Sequence, residues 1–143
     1  MINFFSETDF ELPYQDFYRD WLNACMDIEN RKIGNINFIF CDDEYLLDIN
    51  RQHLNHDYYT DIITFDYSDQ TQLNGDIFIS VERVADNAYE YNTTFDNELS
   101  RVMVHGFLHM CGYKDATEDE QIQMRKKEDG FIEMLTHNSE GEE

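Results

Sequence analysis

The stretch His105–Asp115, H-G-F-L-H-M-C-G-Y-K-D, sets two histidines four residues apart, then a glycine, then an aspartate. An α-helix turns about 100° per residue, so side chains at i and i+4 share a face, about 6 Å apart along the axis. Both imidazoles can then reach one metal ion from the same side. Gly112 accepts the left-handed conformation that ends a helix, and the returning chain brings Asp115 to the same ion. His105, His109 and Asp115 make three ligands, which leaves a tetrahedral zinc ion one position for water. A structural site is usually closed by four ligands; three and a water describe a catalytic one. The same donor set also accepts nickel, iron or manganese.

Upstream of this stretch, Thr94 or Asp96 starts the motif helix, whose apolar stripe is Leu99, Val102, Met103, Gly106 and Met110. Downstream, Thr117-Glu118-Asp119-Glu120 is a capping-box pattern opening a helix that runs to about Leu135. Residues 2 to 5 read as a strand, and Pro13 to about Asn30 as an amphipathic helix with Phe17, Leu22, Cys25, Met26 and Ile28 inward. Residues 35 to 40 alternate polar and apolar, as a half-buried strand does. Asp42 or Asp43 caps a helix carrying Leu46, Leu47, Ile49 and Leu54. Residues 61 to 67 form a strand, Asn74-Gly75 a turn, and residues 76 to 79 a further strand, making a hairpin if the two are neighbours. Ser80 caps a helix to about Tyr91 with Val81, Val84, Ala88 and Tyr91 inward. Strands and helices do not alternate as in a doubly wound sheet, so the expected fold class is α+β, a small mixed sheet covered by helices.

With 143 residues, 41% of them hydrophobic, the chain can bury one real core. It has no internal repeat and no linker, so a single domain over residues 1–137 is expected, followed by a flexible acidic tail at 138–143. No run approaches the roughly 18 apolar residues of a membrane span, and the N-terminus lacks the pattern of a signal peptide. Cys25, Cys41 and Cys111 are an odd set without a C-x-x-C pair, which fits reduced thiols in a cytoplasmic protein. The formal net charge of −21 argues against broad nonspecific nucleic-acid binding and against an anionic membrane surface.

The His pair and following glycine match the spacing of the metzincin protease motif H-E-x-x-H-x-x-G-x-x-H. The glutamate that serves those proteases as general base is Gly106 here, and the last histidine is Asp115. Phosphodiester hydrolysis is easier to accommodate than peptide hydrolysis, because a metal ion can both acidify water and polarise a phosphoryl oxygen. Glu98, seven residues before His105, is a candidate partner or base, or else a solvated acid near a helix N-terminus. His53 and His56 read as surface residues, His137 as a residue without a role, and Arg125-Lys126-Lys127 as a salt-bridged helix face.

Taken with the segments before it, the motif resembles the YbeY family of metal-dependent endoribonucleases, whose signature runs approximately H-G-x-L-H-L-x-G-Y-D-H. His105, Gly106, Leu108, His109, Gly112 and Tyr113 match in register. Ile49-Asn50, Asp57 and Thr60-Asp61-Ile62-Ile63-Thr64-Phe65 follow the family's L-N-x-x-Y-R-x-x-D-x-P-T-D-V-L-S-F element without a gap. Gly75-Asp76-Ile77 with Ile79-Ser80 looks like its G-D-I-x-I-S strand, and Glu98-Leu99 like its E-L. The resemblance covers about residues 35 to 125. It implies one zinc in a cleft, cleavage of single-stranded RNA, maturation of the 3′ end of small-subunit ribosomal RNA, and ribosome quality control with ribosome-associated partners in the cytoplasm. Three positions depart from the pattern. Asp115 stands where the family usually has histidine, Lys114 where it has aspartate, and Leu54 where it has an arginine at the substrate cleft. Lys114 is the candidate replacement for that arginine. The competing readings are a zinc metalloprotease and a non-catalytic ribosome-assembly or protein-binding factor.

Overall fold

The computed structural model describes residues 1–141, with side chains described as far as Leu135. The expected tail at 138–143, and His137, fall outside the residues with described side chains. Four strands form one mixed sheet in the order β1-β2-β4-β3. β1 (Ile2–Ser6) and β2 (Ile33–Cys41) run parallel, as do β2 and β4 (Leu73–Ser80), while β3 (Ile62–Asp66) lies antiparallel on β4. The expected hairpin is therefore present, in the register Ile62↔Ile79 to Asp66↔Gly75.

Its turn is not where expected. Asn74-Gly75 lies inside β4, and the connection is made at Asp69, whose carboxylate accepts from the backbone N–H of Thr71 (2.7 Å) and Gln72 (2.9 Å). Gly75 is needed for close approach: a Cβ there would sit 2.5 Å from the Phe65 carbonyl oxygen and 3.0 Å from Met110 Cε.

Alternation along β4 sends Ile77 and Ile79 to one face and Phe78 to the other. The first face holds the main core, where α1 (Gln15–Ile28), α4 (Phe95–Met110) and α5 (Glu118–Gly141) supply Trp21, Leu22, Phe107, Met124 and Phe131. Phe107 meets Phe38 edge-on at 5.7 Å, and Trp21 Nε1 donates to the Phe131 carbonyl at 2.8 Å, so α4 and α1 are tied to the sheet and to α5. On the opposite face α2 (Asp43–His53) packs Leu46 against Cys41 and Ile63. The three cysteines are free.

Caps follow the expected chemistry. Asp42 accepts from Tyr45 N, Ser80 from Arg83 N at the start of α3 (Val81–Glu90), and Thr94 from Asn97 N. The Thr117–Glu120 capping box is reciprocal, at 3.1 Å and 2.9 Å. Two residues expected inward are exposed: Ile28, in the last turn of α1, and Tyr91, which has become the C-cap of α3. α5 also extends past Leu135, to Gly141.

Candidate metal centre

α4 presents His105 and His109 one turn apart on its half-exposed side. Gly112, at φ +101°, then ends the helix in a Schellman arrangement: Gly112 N–H donates to the His109 carbonyl and Tyr113 N–H to that of Leu108, both at 3.0 Å. The reversal carries Asp115 back over the helix end, and the Gln121 side chain holds the Asp115 carbonyl from α5 at 3.0 Å. The Asp115 carboxylate lies 3.3 Å from each histidine Nε2, and the two Nε2 atoms are 2.9 Å apart. With zinc–ligand bonds of about 2.0–2.1 Å, a tetrahedral ion needs donor separations of about 3.3 Å. The three side chains thus already stand close to the spacing of such an ion's donors, and the site fits a metal ion.

His105 is oriented from behind. Its Nδ1 lies 2.6 Å from the Oε2 of buried Glu128 on α5, whose Oε1 accepts from Arg101 at 2.9 Å; Arg101 also reaches Asp129 at 2.7 Å. A carboxylate on Nδ1 keeps the proton there and leaves the Nε2 lone pair for an ion. Burial works against charge on this ring, yet the carboxylates of Glu128, Asp115 and Asp61 outweigh it and raise the His105 pKa above its ordinary value. Sequence reading missed Glu128. The available signal was its place among Met124, Phe131 and Ile132 on the buried side of α5, an acid on an apolar face.

Gly106 touches the sheet, not the ligands. A Cβ there would lie 3.1 Å from Ile62 Cδ1 and 3.3 Å from Ile77 Cδ1. The position has no room for a glutamate, and a side chain from it would meet the core. Glu98 is buried, which removes the solvated-acid alternative, and burial raises its pKa, partly offset by Arg101. Asp61, from the resemblance segment, is also raised by burial, against the pull of His105.

Two clefts meet at the ligands, sharing Asp61, Ile62, His105 and Asp115. The first, of about 820 Å³, is also lined by Glu98, Arg101, Arg125, Lys126 and Glu128. The basic cluster on α5 is therefore not a uniform salt-bridged face. Lys127 pairs with Glu29 at 2.9 Å, whereas Arg125 and Lys126 line the cleft without an ion pair among the described residues. The second cleft, of about 530 Å³, holds His109, Leu54, His56 and Tyr58, so His56 is a cleft residue as well as a surface one. Leu54, 41% exposed at the C-cap of α2, stands at its wall. Lys114 is exposed and lines neither cleft.

Comparison with known proteins places nearly the whole chain in a family. The family model described as Endoribonuclease YbeY matches residues 2–136. The chain is 57% identical over 134 residues to the Endoribonuclease YbeY of Christiangramia forsetii, covering 94% of both chains. It is 53% identical over 135 residues to that of Flavobacterium johnsoniae, covering 94% of this chain and 97% of the relative. Its fold is similar to the solution structure of TM1509 from Thermotoga maritima, with a TM-score of 0.70 and 24% identity over 99% of this chain and 93% of that one. A family match over nearly the whole length, with curated relatives more than half identical, establishes that this chain belongs to the endoribonuclease YbeY family.

Proposed function

We propose that the chain is a zinc-dependent endoribonuclease that cuts single-stranded RNA and acts in the cytoplasm, in 3′-end maturation of small-subunit ribosomal RNA and in ribosome quality control. The observation that carries the reading is the convergence of His105, His109 and Asp115 at donor spacings of 2.9 and 3.3 Å, where two clefts meet. The relatives' name, Endoribonuclease YbeY, supplies the substrate class.

In this reading His105, His109 and Asp115 hold the ion, which supplies Lewis acidity toward a phosphoryl oxygen and toward water. Glu128 fixes the His105 tautomer and ring angle. Glu98 is the proposed proton acceptor in the cleft, with Asp61 beside the ligands; burial raises the pKa of both carboxyls, which makes each a stronger base than an exposed acid. Arg125 and Lys126 take phosphates on the first cleft, and Lys114, adjacent in sequence to a ligand, is a further candidate phosphate contact from outside it. The metalloprotease alternative lacks its base, because position 106 abuts Ile62 and Ile77.

The test is elemental analysis of purified protein joined to a cleavage assay on single-stranded RNA. One zinc per chain and chelator-sensitive cleavage, both lost in His105→Ala and His109→Ala, are expected. Full cleavage by a folded, zinc-free double variant would overturn the reading.

A further inference from the structure

The two clefts are chemically unlike. Among the described residues no lysine or arginine lines the second, whereas Asp61, Asp66 and Asp115 do. Arg51, the cation nearest in the chain, is committed to Asp57 at 2.5 Å, with Asp48 at 3.9 Å. Away from the ion itself, a polyanion entering here meets no lysine or arginine to neutralise its phosphates, so another attraction must hold the rest of the strand.

What this cleft offers is aromatic surface. His56 and Tyr58 stack with ring centroids 5.2 Å apart and planes 23° from parallel, and the Tyr58 hydroxyl meets His56 Nδ1 at 3.1 Å. Tyr58 nevertheless keeps 56% of its surface exposed, so its ring remains open to a stacking partner. The pair is also held in place. Asn50, 1% exposed, donates through Nδ2 to the Tyr58 carbonyl at 2.9 Å, and its backbone carbonyl accepts from His56 N at 3.0 Å and Leu54 N at 3.2 Å. Asn55 takes a left-handed φ of +56° to make that reversal. The buried Asn50, through its side chain and its backbone carbonyl, thus fixes the loop that carries two exposed rings in the cleft shared with the metal ligands.

We propose that His56 and Tyr58 form a stacking platform for an unpaired RNA base next to the cleavage point. This rests on the ribonuclease reading above and deepens it by assigning base recognition. Base–aromatic stacking tolerates any base, because each has a π-face, and it does not require positive charge. That suits a chain with net charge −21. The preference for single strands follows directly, since a paired and stacked base cannot reach the rings.

The experiment measures binding of a short single-stranded RNA with phosphorothioate linkages and 2′-O-methyl sugars, recovered intact afterwards, to the zinc-loaded protein by fluorescence anisotropy. In parallel, 2-aminopurine is placed at each position in turn to report stacking. Wild type is expected to bind, quench the probe at one position, and lose about tenfold in affinity when that nucleotide is abasic. Tyr58→Ala should lose a similar factor and the quench, with KM raised more than kcat is lowered on a cleavable RNA; Tyr58→Phe should stay within about twofold of wild type. The abasic arm leaves the protein intact, so it decides the matter even if Tyr58→Ala fails to fold. Tight binding that is indifferent to every abasic position, with no quench, overturns the platform and leaves the nuclease reading standing. Wild type that neither binds nor cleaves RNA overturns both.

Discussion

His105 Nδ1 lies 2.6 Å from Glu128 Oε2, across the packing of α4 on α5. A ligand on one helix is aimed by a carboxylate on another, and Arg101 locks that carboxylate from the opposite side at 2.9 Å. Loss of such an outer partner typically lowers metal affinity about 10- to 100-fold. Glu128→Ala is expected to do so, with zinc competition against a chromogenic chelator as the measurement. Glu128→Gln should recover part of the loss through its side-chain oxygen. Unchanged zinc affinity in both folded variants would show that His105 needs no help.

Two glycines make a matched pair for stability. Gly112 sits at φ +101°, so Gly112→Ala should destabilise by about 1–2 kcal/mol through backbone strain, although nothing crowds the added methyl. Gly130 is exposed within α5, with nothing within 4 Å of an added Cβ, so Gly130→Ala should stabilise by up to about 1 kcal/mol. Urea midpoints should move in opposite directions. Weaker zinc binding should accompany only the first substitution, which also displaces Asp115.

Arg125 and Lys126 line the first cleft without an ion pair among the described residues, Arg125 acting on Glu98 only through its field. Each phosphate contact to a single strand contributes about −0.7 to the slope of log K against log salt. Arg125→Ala and Lys126→Ala should therefore weaken RNA binding at low salt and flatten that slope by about this amount each. Tyr58→Ala should weaken binding with the slope unchanged. A salt titration of all three separates charge from stacking.

Glu98 carries a pH signature. Burial raises its pKa above the ordinary 4.5, so the native fold favours the neutral carboxyl. Its contribution to stability is fully present below the unfolded-state value and is lost as pH rises through the raised native one. Glu98→Gln, neutral at every pH, should be more stable than wild type at pH 7, with the gap closing toward acid. Thermal melts across pH 4 to 8 measure it. A constant gap would show that Glu98 is not desolvated.

Sequence carried what local geometry decides. The His105–His109 spacing, the Gly112 reversal and the Thr117 capping box are short-range consequences of helix periodicity and backbone freedom, and each stands where its spacing predicts. What long-range packing decides was not legible. Asn74-Gly75 has turn chemistry, but the Phe65 carbonyl and Met110 that crowd it come from elsewhere in the chain. Arg125 and Lys126 have acidic neighbours in sequence, yet the side of α5 that they occupy opens on a cleft. Glu128 becomes a positioning residue only because α5 docks on α4, a relationship no window of sequence contains. Ile28 and Tyr91 fit an apolar stripe but fall at helix ends, where the core stops.

The three donors straddle the reversal at Gly112, two on α4 and one beyond it. An ion bound to all of them would close a short chelate ring from His109 to Asp115 and act as a removable crosslink. Apart from any chemistry on RNA, loading would then shield this bend from proteases, and stripping the metal would open it to nicking. The loaded and stripped proteins would in that way differ in lifetime as well as in activity.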